Sequence, residues 1–244
     1  MHLYGFLFKT SSIKISKMKV IHKSIILFAF SILYAMQVTA QVFDDWEARP
    51  NVSLKYKINK DWTVSGTYYL YLENNMSQYD KSVFGTEVSY KINPWMKAGI
   101  DYRFGTNAKE QYHDLRYSLS FDMKLSNKWT LEYQPTLQQE FTSLNKEHLA
   151  LHPVEYYVRN RITANYELSK VVELFVFTEN YLQPVDGDVF FYRQKSALGA
   201  DFEINEHHKI GTRFEIINKN SGKNYARPNL SYTYTFGYSK KKEK

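Results

Sequence analysis

The chain has 244 residues, a formal net charge of +7 and no cysteine. The lack of cysteine excludes disulfides, thiolate metal sites, cysteine nucleophiles and a lipoprotein anchor. The net charge is not a nucleic-acid signal: five of the basic residues lie before residue 41, and the rest of the chain has 27 basic and 25 acidic side chains. We therefore expect no nucleic-acid partner.

Residues 1–40 predict a cleavable secretion signal, with Met18 as its natural start. A basic stretch at 19–23 precedes an apolar run at 25–35, and cleavage is expected after Ala40. The alternative is a retained membrane anchor, but the apolar run is shorter than the roughly 20 residues that a membrane helix needs.

From Trp46 onward, apolar and polar residues alternate with period two, which is typical of β-strands. Many of the alternating segments reach the roughly 9–11 residues that a tilted strand needs to cross a bilayer. The eleven predicted strands are 46–58, 62–73, 82–92, 95–105, 111–125, 129–141, 153–168, 171–182, 190–204, 208–218 and 227–238.

Five copies of one short phrase mark the ends of these segments. The first copy runs from Tyr56 to Trp62, and the others begin at Tyr90, Met123, Tyr166 and Phe202. Each copy predicts a strand end, a polar turn of two or three residues and the start of the next strand. Longer connections are predicted at 74–81, 106–110, 142–152, 183–189 and 219–226. Short turns at one end and longer loops at the other predict an all-β, antiparallel up-and-down transmembrane barrel of about 10–12 strands.

Three tryptophans favour the membrane form of this barrel, in which the apolar face points outward. Trp62, Trp95 and Trp129 follow short turns, as an interfacial aromatic girdle would. We therefore predict an outer-membrane barrel over 41–238, with periplasmic short turns and a charged periplasmic tail at 239–244. Its expected partners are outer-membrane lipids and the barrel assembly machinery, and we expect a monomer.

Eleven strands conflict with the even number normal for bacterial single-chain barrels. The odd strand number has three possible explanations. The segment 46–58 is bent or split, residues 41–50 enter the lumen, or one segment is miscounted.

Several short motifs resemble a known family. They are the Asp45-Trp46 pair, the repeated hairpins, Arg159-Asn160-Arg161 and Glu179-Asn180-Tyr181. Together they are similar to domain of unknown function family 2490, a family of uncharacterised outer-membrane barrels. The tyrosine-rich sequence and the Gln41 left at the mature terminus resemble proteins of the Bacteroidetes. The resemblance covers 41–238 and implies a fold and a location, but no activity.

Charged residues on the polar face are the candidate functional residues, because charges in a narrow lumen must pair or be hydrated. The lumen network candidates are Arg103, Arg116, Glu132, Arg159, Arg161, Glu179, Arg193 and Glu215. We favour a packing network that fills the barrel. A selective or substrate-binding lumen around Arg159 and Arg161 is the alternative.

A lipid-modifying hydrolase of the outer membrane is a second possible function. The residues available near the outer rim are His113, His152, Asp114, Ser118 and Glu155. The strand phase places His113 and Asp114 on opposite faces, and a catalytic triad needs converging side chains. We therefore predict no catalytic residue, no metal and no cofactor.

The leading prediction is an outer-membrane barrel without enzymatic activity, structural or weakly permeable to small solutes. A protein that binds partners through its extracellular loops is a further alternative. In those loops, Asp186 and Asp188 offer too few oxygens for the six to eight that Ca²⁺ takes.

Overall fold

The computed structural model describes residues 43–107, 110–145, 154–185 and 187–238. The predicted signal and the predicted charged tail lie outside these residues. The strands are β1 (Asp45–Trp46), β2 (Asn51–Lys57), β3 (Trp62–Glu73), β4 (Gln78–Asn93), β5 (Met96–Thr106), β6 (Glu110–Lys124), β7 (Trp129–Asn145), β8 (Glu155–Ser169), β9 (Val172–Val185), β10 (Asp188–Glu203), β11 (His208–Lys219) and β12 (Asn224–Gly237). None of the described residues form a helix long and apolar enough to span a membrane.

The strands β2 to β12 form a closed barrel. Each of them pairs with its chain neighbour in antiparallel fashion, and β12 then pairs with β2 in parallel. The predicted all-β, up-and-down antiparallel barrel is confirmed. Of the twelve strands, eleven form the closed wall and β1 is a short addition.

The parallel seam between β2 and β12 resolves the conflict over the strand number. Residues 45–46 pair with 225–226, and residues 51–57 pair with 231–237, so both pieces keep one register against β12. The predicted strand 46–58 is therefore split, with an interruption at 47–50. Pro50 lies in the interruption and has no N–H to donate to a ladder. A parallel pair between the first and last strands of the wall allows a barrel with an odd number of strands to close. It also places Asp45 and Gly237 at opposite ends of the barrel.

The connections form two rims. The turn rim consists of residues 58–61, 94–95, 125–128, 170–171 and 204–207. The loop rim is formed, among the described residues, by 74–77, 107, 154, 187 and 220–223. Because β4 and β12 start earlier than predicted, the connections before them, 74–77 and 220–223, are shorter than expected.

Side-chain oxygens close the short turns and explain the repeated phrase. Asn59 Oδ1 accepts the backbone N–H groups of Asp61 (2.9 Å) and Trp62 (2.8 Å). Such local bonds stabilise turns and compete with ladder pairing, which suits Asn and Ser to these positions. The equivalent residues at the other turns are Asn93, Ser126, Ser169 and Asn205.

The barrel has an apolar outer face and a polar interior. Leu54 and Phe84 on the outer face are 56% and 57% exposed, whereas Glu179 and Glu215 in the lumen are each 1% exposed. This reverses the distribution found in water-soluble proteins. The twelve residues of β3 span about 40 Å. At a tilt of about 45° they rise about 28 Å, which is close to the apolar band of outer-membrane barrels.

Candidate functional site in the lumen

Two cavities lie in the lumen among the described residues. The loop-side cavity has a volume of about 1070 Å³, and the turn-side cavity has a volume of about 640 Å³. Tyr69 and Arg213 line both, so the two cavities adjoin at these side chains. Side chains at this level narrow the lumen, as expected for a barrel of this size.

Glu179 is the centre of one ion-pair cluster on the wall formed by β8, β9 and β10. Its carboxylate lies 2.6 Å from Arg159, 3.0 Å from Arg161 and 3.5 Å from Lys195. Lys195 also donates to the Tyr181 hydroxyl (3.1 Å), which in turn donates to Glu179 (3.2 Å). All five residues have odd numbers, and the register pairs these odd-numbered residues of β8, β9 and β10 with one another. Period-two alternation therefore turns their side chains to the same face of the sheet.

Glu215 is the centre of a second cluster, at the barrel seam. Its carboxylate lies 3.2 Å from Arg49, 3.0 Å from Arg213 and 3.5 Å from Arg227. Arg227 also forms a close ion pair with Glu47. These bonds join β11, β12 and the interrupted segment 47–50, so side chains hold the seam where the backbone ladder is broken.

A third cluster lies on β5 and β6. Arg103 pairs with Asp101 at 2.8 Å, and Arg116 pairs with Asp101 at 3.6 Å and closely with Asp114. The Arg103 guanidinium also lies over the Tyr69 ring, 4.9 Å from its centroid. Two cations and two carboxylates balance here.

The first two clusters do not balance. Together they contain six cations (Arg49, Arg159, Arg161, Lys195, Arg213 and Arg227) and three carboxylates (Glu47, Glu179 and Glu215). These two clusters therefore contain three more cations than carboxylates. Arg193, on β10, adds to this excess because it has no ion pair among the described residues and lies 3.9 Å from the Tyr181 ring centroid.

Seven of the eight predicted lumen residues line the loop-side cavity or belong to these clusters. Glu132 is the exception. It lies on β7, opposite Asp122 and Thr163, and makes no ion pair within the described residues. Tyr181, Lys195 and Arg227 were not among the predicted residues. The period-two alternation places these three residues on the polar face of their strands, and this sequence signal could have identified them.

Small residues make room for the lumen side chains. A Cβ on Gly199 would overlap the Phe175 ring and the Thr212 carbonyl. A Cβ on Gly85 would lie 3.4 Å from Arg103 and 3.5 Å from Tyr69. At both positions the absence of a side chain leaves space for a neighbour.

The predicted girdle tryptophans lie on the outer face at the turn rim, between 43% and 54% exposed. Trp62 packs against Tyr90 with ring centroids 4.7 Å apart, and Trp129 packs against Tyr166 at 4.8 Å. Trp95 lies 6.4 Å from the Phe121 ring. Their position at a membrane interface stays a prediction.

The candidate hydrolase residues do not converge where the structure describes them. His113 lies on the outer face, where Nδ1 is 2.7 Å from the Tyr102 hydroxyl and the ring stacks on Phe141 at 4.7 Å. Asp114 faces the lumen and pairs with Arg116. His152 and Asp186 lie outside the described residues. Within the described ranges, no group of three or more His, Asp or Glu residues is placed to hold a metal ion.

Asp45 has a structural role that sequence reasoning missed. Its carboxylate accepts the backbone N–H groups of Asn74 (3.1 Å) and Asn75 (2.8 Å) at the loop rim. These two residues and Met76 have positive φ angles of 50°, 57° and 62°, and the Met76 N–H bonds to the Trp46 carbonyl at 2.9 Å. Asp45 therefore fastens the start of the barrel wall to the first loop-rim connection.

A closed barrel with an apolar outer face and a charged lumen is a β-barrel of the outer-membrane type. More particularly, the family described as "Protein of unknown function (DUF2490)" matches residues 50–234, and the chain belongs to this family. Comparison with curated proteins found no match.

Three solved structures are similar to the chain in fold. A bacterial polysaccharide outer membrane secretin is 13% identical, with a TM-score of 0.47, over 73% of this chain and 64% of that chain. The NanC porin is 10% identical, with a TM-score of 0.48, over 74% of this chain and 93% of the porin. The beta domain of the Bordetella autotransporter Brka is 14% identical, with a TM-score of 0.39, over 70% and 79%. The chain thus spans about two thirds of the secretin, and the likeness concerns the fold alone.

Proposed function

We propose that this protein is a monomeric barrel of the bacterial outer membrane whose lumen is weakly permeable to small hydrophilic solutes. The observation that carries the proposal is the pair of polar cavities, about 1070 Å³ and 640 Å³, that adjoin inside an apolar wall. The side chains of Tyr69 and Arg213 narrow the passage between them, which favours low conductance.

The membrane location is part of the proposal. It is supported by the exposed apolar outer face and by the tryptophans at the turn rim. Outer-membrane lipids would then cover the apolar face, and the barrel assembly machinery would insert the chain. In this proposal the secretion signal is cut after Ala40, and the turn rim faces the periplasm.

Fractionation of expressing cells tests the location. We expect the protein in the outer membrane, with a mobility on gels that changes on heating. Recovery with the soluble periplasmic proteins, without a heat-dependent shift, would rule out the membrane barrel. The amino-terminal sequence of the mature protein tests cleavage before Gln41.

Two single-cysteine variants test the orientation, since the chain has no cysteine of its own. Lys60→Cys marks the turn rim, and Asn75→Cys marks the loop rim. An impermeant maleimide added to intact cells should label the second variant only. Labelling of Lys60→Cys alone would reverse the proposed orientation.

Planar-bilayer recordings of the purified protein test permeability. We expect small, stable conductance steps in potassium chloride. Silence across a wide range of salt concentrations, with correctly folded protein, would contradict permeability and favour a barrel filled by its own side chains.

A further inference from the structure

The wall between β8 and β10 gathers cations around a single tyrosine ring. Tyr181 is 2% exposed. The guanidinium groups of Arg193 and Arg159 lie 3.9 Å and 4.6 Å from its centroid, and the Lys195 ammonium lies 5.4 Å away. Glu179 is the carboxylate in contact with this group, and it is already shared by three cations. An uncompensated buried charge is costly, so this place favours a further negative charge.

Arg193 also faces a second cation directly. In the ladder between β10 and β11 its partner is Lys219, and both residues line the loop-side cavity. Directly opposed side chains in an antiparallel pair have Cβ atoms about 5 Å apart, where like charges repel. Among the described residues neither cation forms an ion pair. An anion between them would turn this repulsion into attraction.

The donors of Arg193 are free to bind such an anion. Within the described part of the chain the Arg193 side chain makes no hydrogen bond, and its buried Nε has no partner. The rings of Tyr181 and Tyr192 hold the guanidinium at 3.9 Å and 5.6 Å. Stacking on aromatic rings leaves the in-plane N–H groups available, and their fork matches the oxygens of a carboxylate or phosphate.

Several carboxylates that line the same cavity already have partners. Asp45 accepts two backbone N–H groups, Glu47 pairs with an arginine, and Asp80 lies 3.6 Å from a lysine. Glu140, on β7, accepts a hydrogen bond from Gln138 at 3.2 Å. On β10 and β11, Arg193 and Lys219 line this cavity without an ion pair among the described residues.

We propose that the loop-side cavity binds small oxyanions, carboxylates or phosphates, between Arg193 and Lys219, with Lys195 and Arg159 adding positive charge behind them. The inference rests on the proposed function and specifies it further: the permeating solutes are anionic. The four residues named here all lie on described strands of the barrel wall.

Calorimetric titration of the full-length protein in detergent tests the site. The probes are inorganic phosphate and acetate, each compared with chloride at equal ionic strength. We expect saturable binding that chloride does not reproduce, and at least a tenfold weaker affinity in both Arg193→Gln and Lys219→Gln, because each variant loses a charge-assisted bond. Binding of phosphate alone would restrict the ligands to phosphates, and binding of both probes would include carboxylates.

Lys57→Gln is the matched control, because it removes one lumenal charge from the turn-side cavity, away from the site. It should bind both probes within about twofold of the wild type. The inference is overturned if the wild type binds neither probe, or if Arg193→Gln and Lys219→Gln bind as the wild type does.

Reversal potentials in a potassium chloride gradient separate this inference from the proposed function. We expect anion preference that decreases in Arg193→Gln. Conductance without anion preference or oxyanion binding would refute the inference and leave the permeability standing. Oxyanion binding by a protein that does not conduct would refute permeability and leave the site standing.

Discussion

Replacing Glu215 by Gln should destabilise the barrel at its seam. Glu215 is 1% exposed and lies within 3.5 Å of Arg49, Arg213 and Arg227. The variant keeps the shape of the side chain but leaves three arginines close together without their shared carboxylate. Breaking a buried ion pair from one side costs about 3–5 kcal/mol. Because the Arg213 side chain is 25% exposed to the lumen, we expect the lower end, about 3 kcal/mol.

The assay is equilibrium unfolding in urea from lipid vesicles, followed by tryptophan fluorescence. The chain has four tryptophans for this signal. Glu132→Gln is the control, since it makes the same chemical change on the lumenal face at a carboxylate without an ion pair in the described residues. It should change the unfolding free energy by less than about 1 kcal/mol.

The double variant Glu215→Gln with Arg213→Gln distinguishes charge repulsion from lost packing. Arg213 has its ion pair with Glu215, so removing both relieves part of the repulsion, and the double variant should be more stable than Glu215→Gln alone. The reasoning is refuted if Glu215→Gln unfolds within about 1 kcal/mol of the wild type. It is also refuted if the two substitutions are simply additive.

Two further predictions concern the wall. Gly199→Ala places a methyl group where an aromatic ring already lies and should lower the unfolding free energy by about 1–3 kcal/mol, whereas Gly66→Ala, with open space around it, should have little effect in the same urea assay. The parallel seam pairs Val52 with Tyr232, so cysteines at these two positions should form a disulfide, since neighbouring strands lie about 4.8 Å apart. Cysteines at Val52 and Phe236, four residues out of register, should not. Cross-linking of the second pair alone, detected as altered gel mobility without reductant, would show that the seam has another register.

The local structure could be predicted from the sequence because period-two alternation is a local property. The predicted strand 62–73 has the same bounds as β3, and the remaining segments differ from the structure mainly at their loop-rim ends. Those ends extend further because the ladder continues beyond the apolar stretch, as in β4, which begins at Gln78. The alternation of apolar and polar residues stops where the apolar stretch ends, so it cannot predict strand residues that continue the backbone pairing beyond that stretch.

The lumen network was predicted only as a set of residues. Alternation places Arg159 and Glu179 on the same face, and this much is a sequence property. Which carboxylate serves which cation depends on the register between strands. Glu132 satisfies the same pattern and still has no cation opposite it, because its neighbours across the strands are Asp122 and Thr163.

By itself the sequence determined the elements: which residues form strands, which face is apolar, and where the Asn and Ser turns lie, because each depends on neighbours along the chain. Only the tertiary structure decided how the barrel closes. The parallel seam joins residues 180 positions apart, such as Val52 and Tyr232, and no local pattern specifies it. The opposition of Arg193 and Lys219 is decided in the same way, since the register of two strands sets which charges meet.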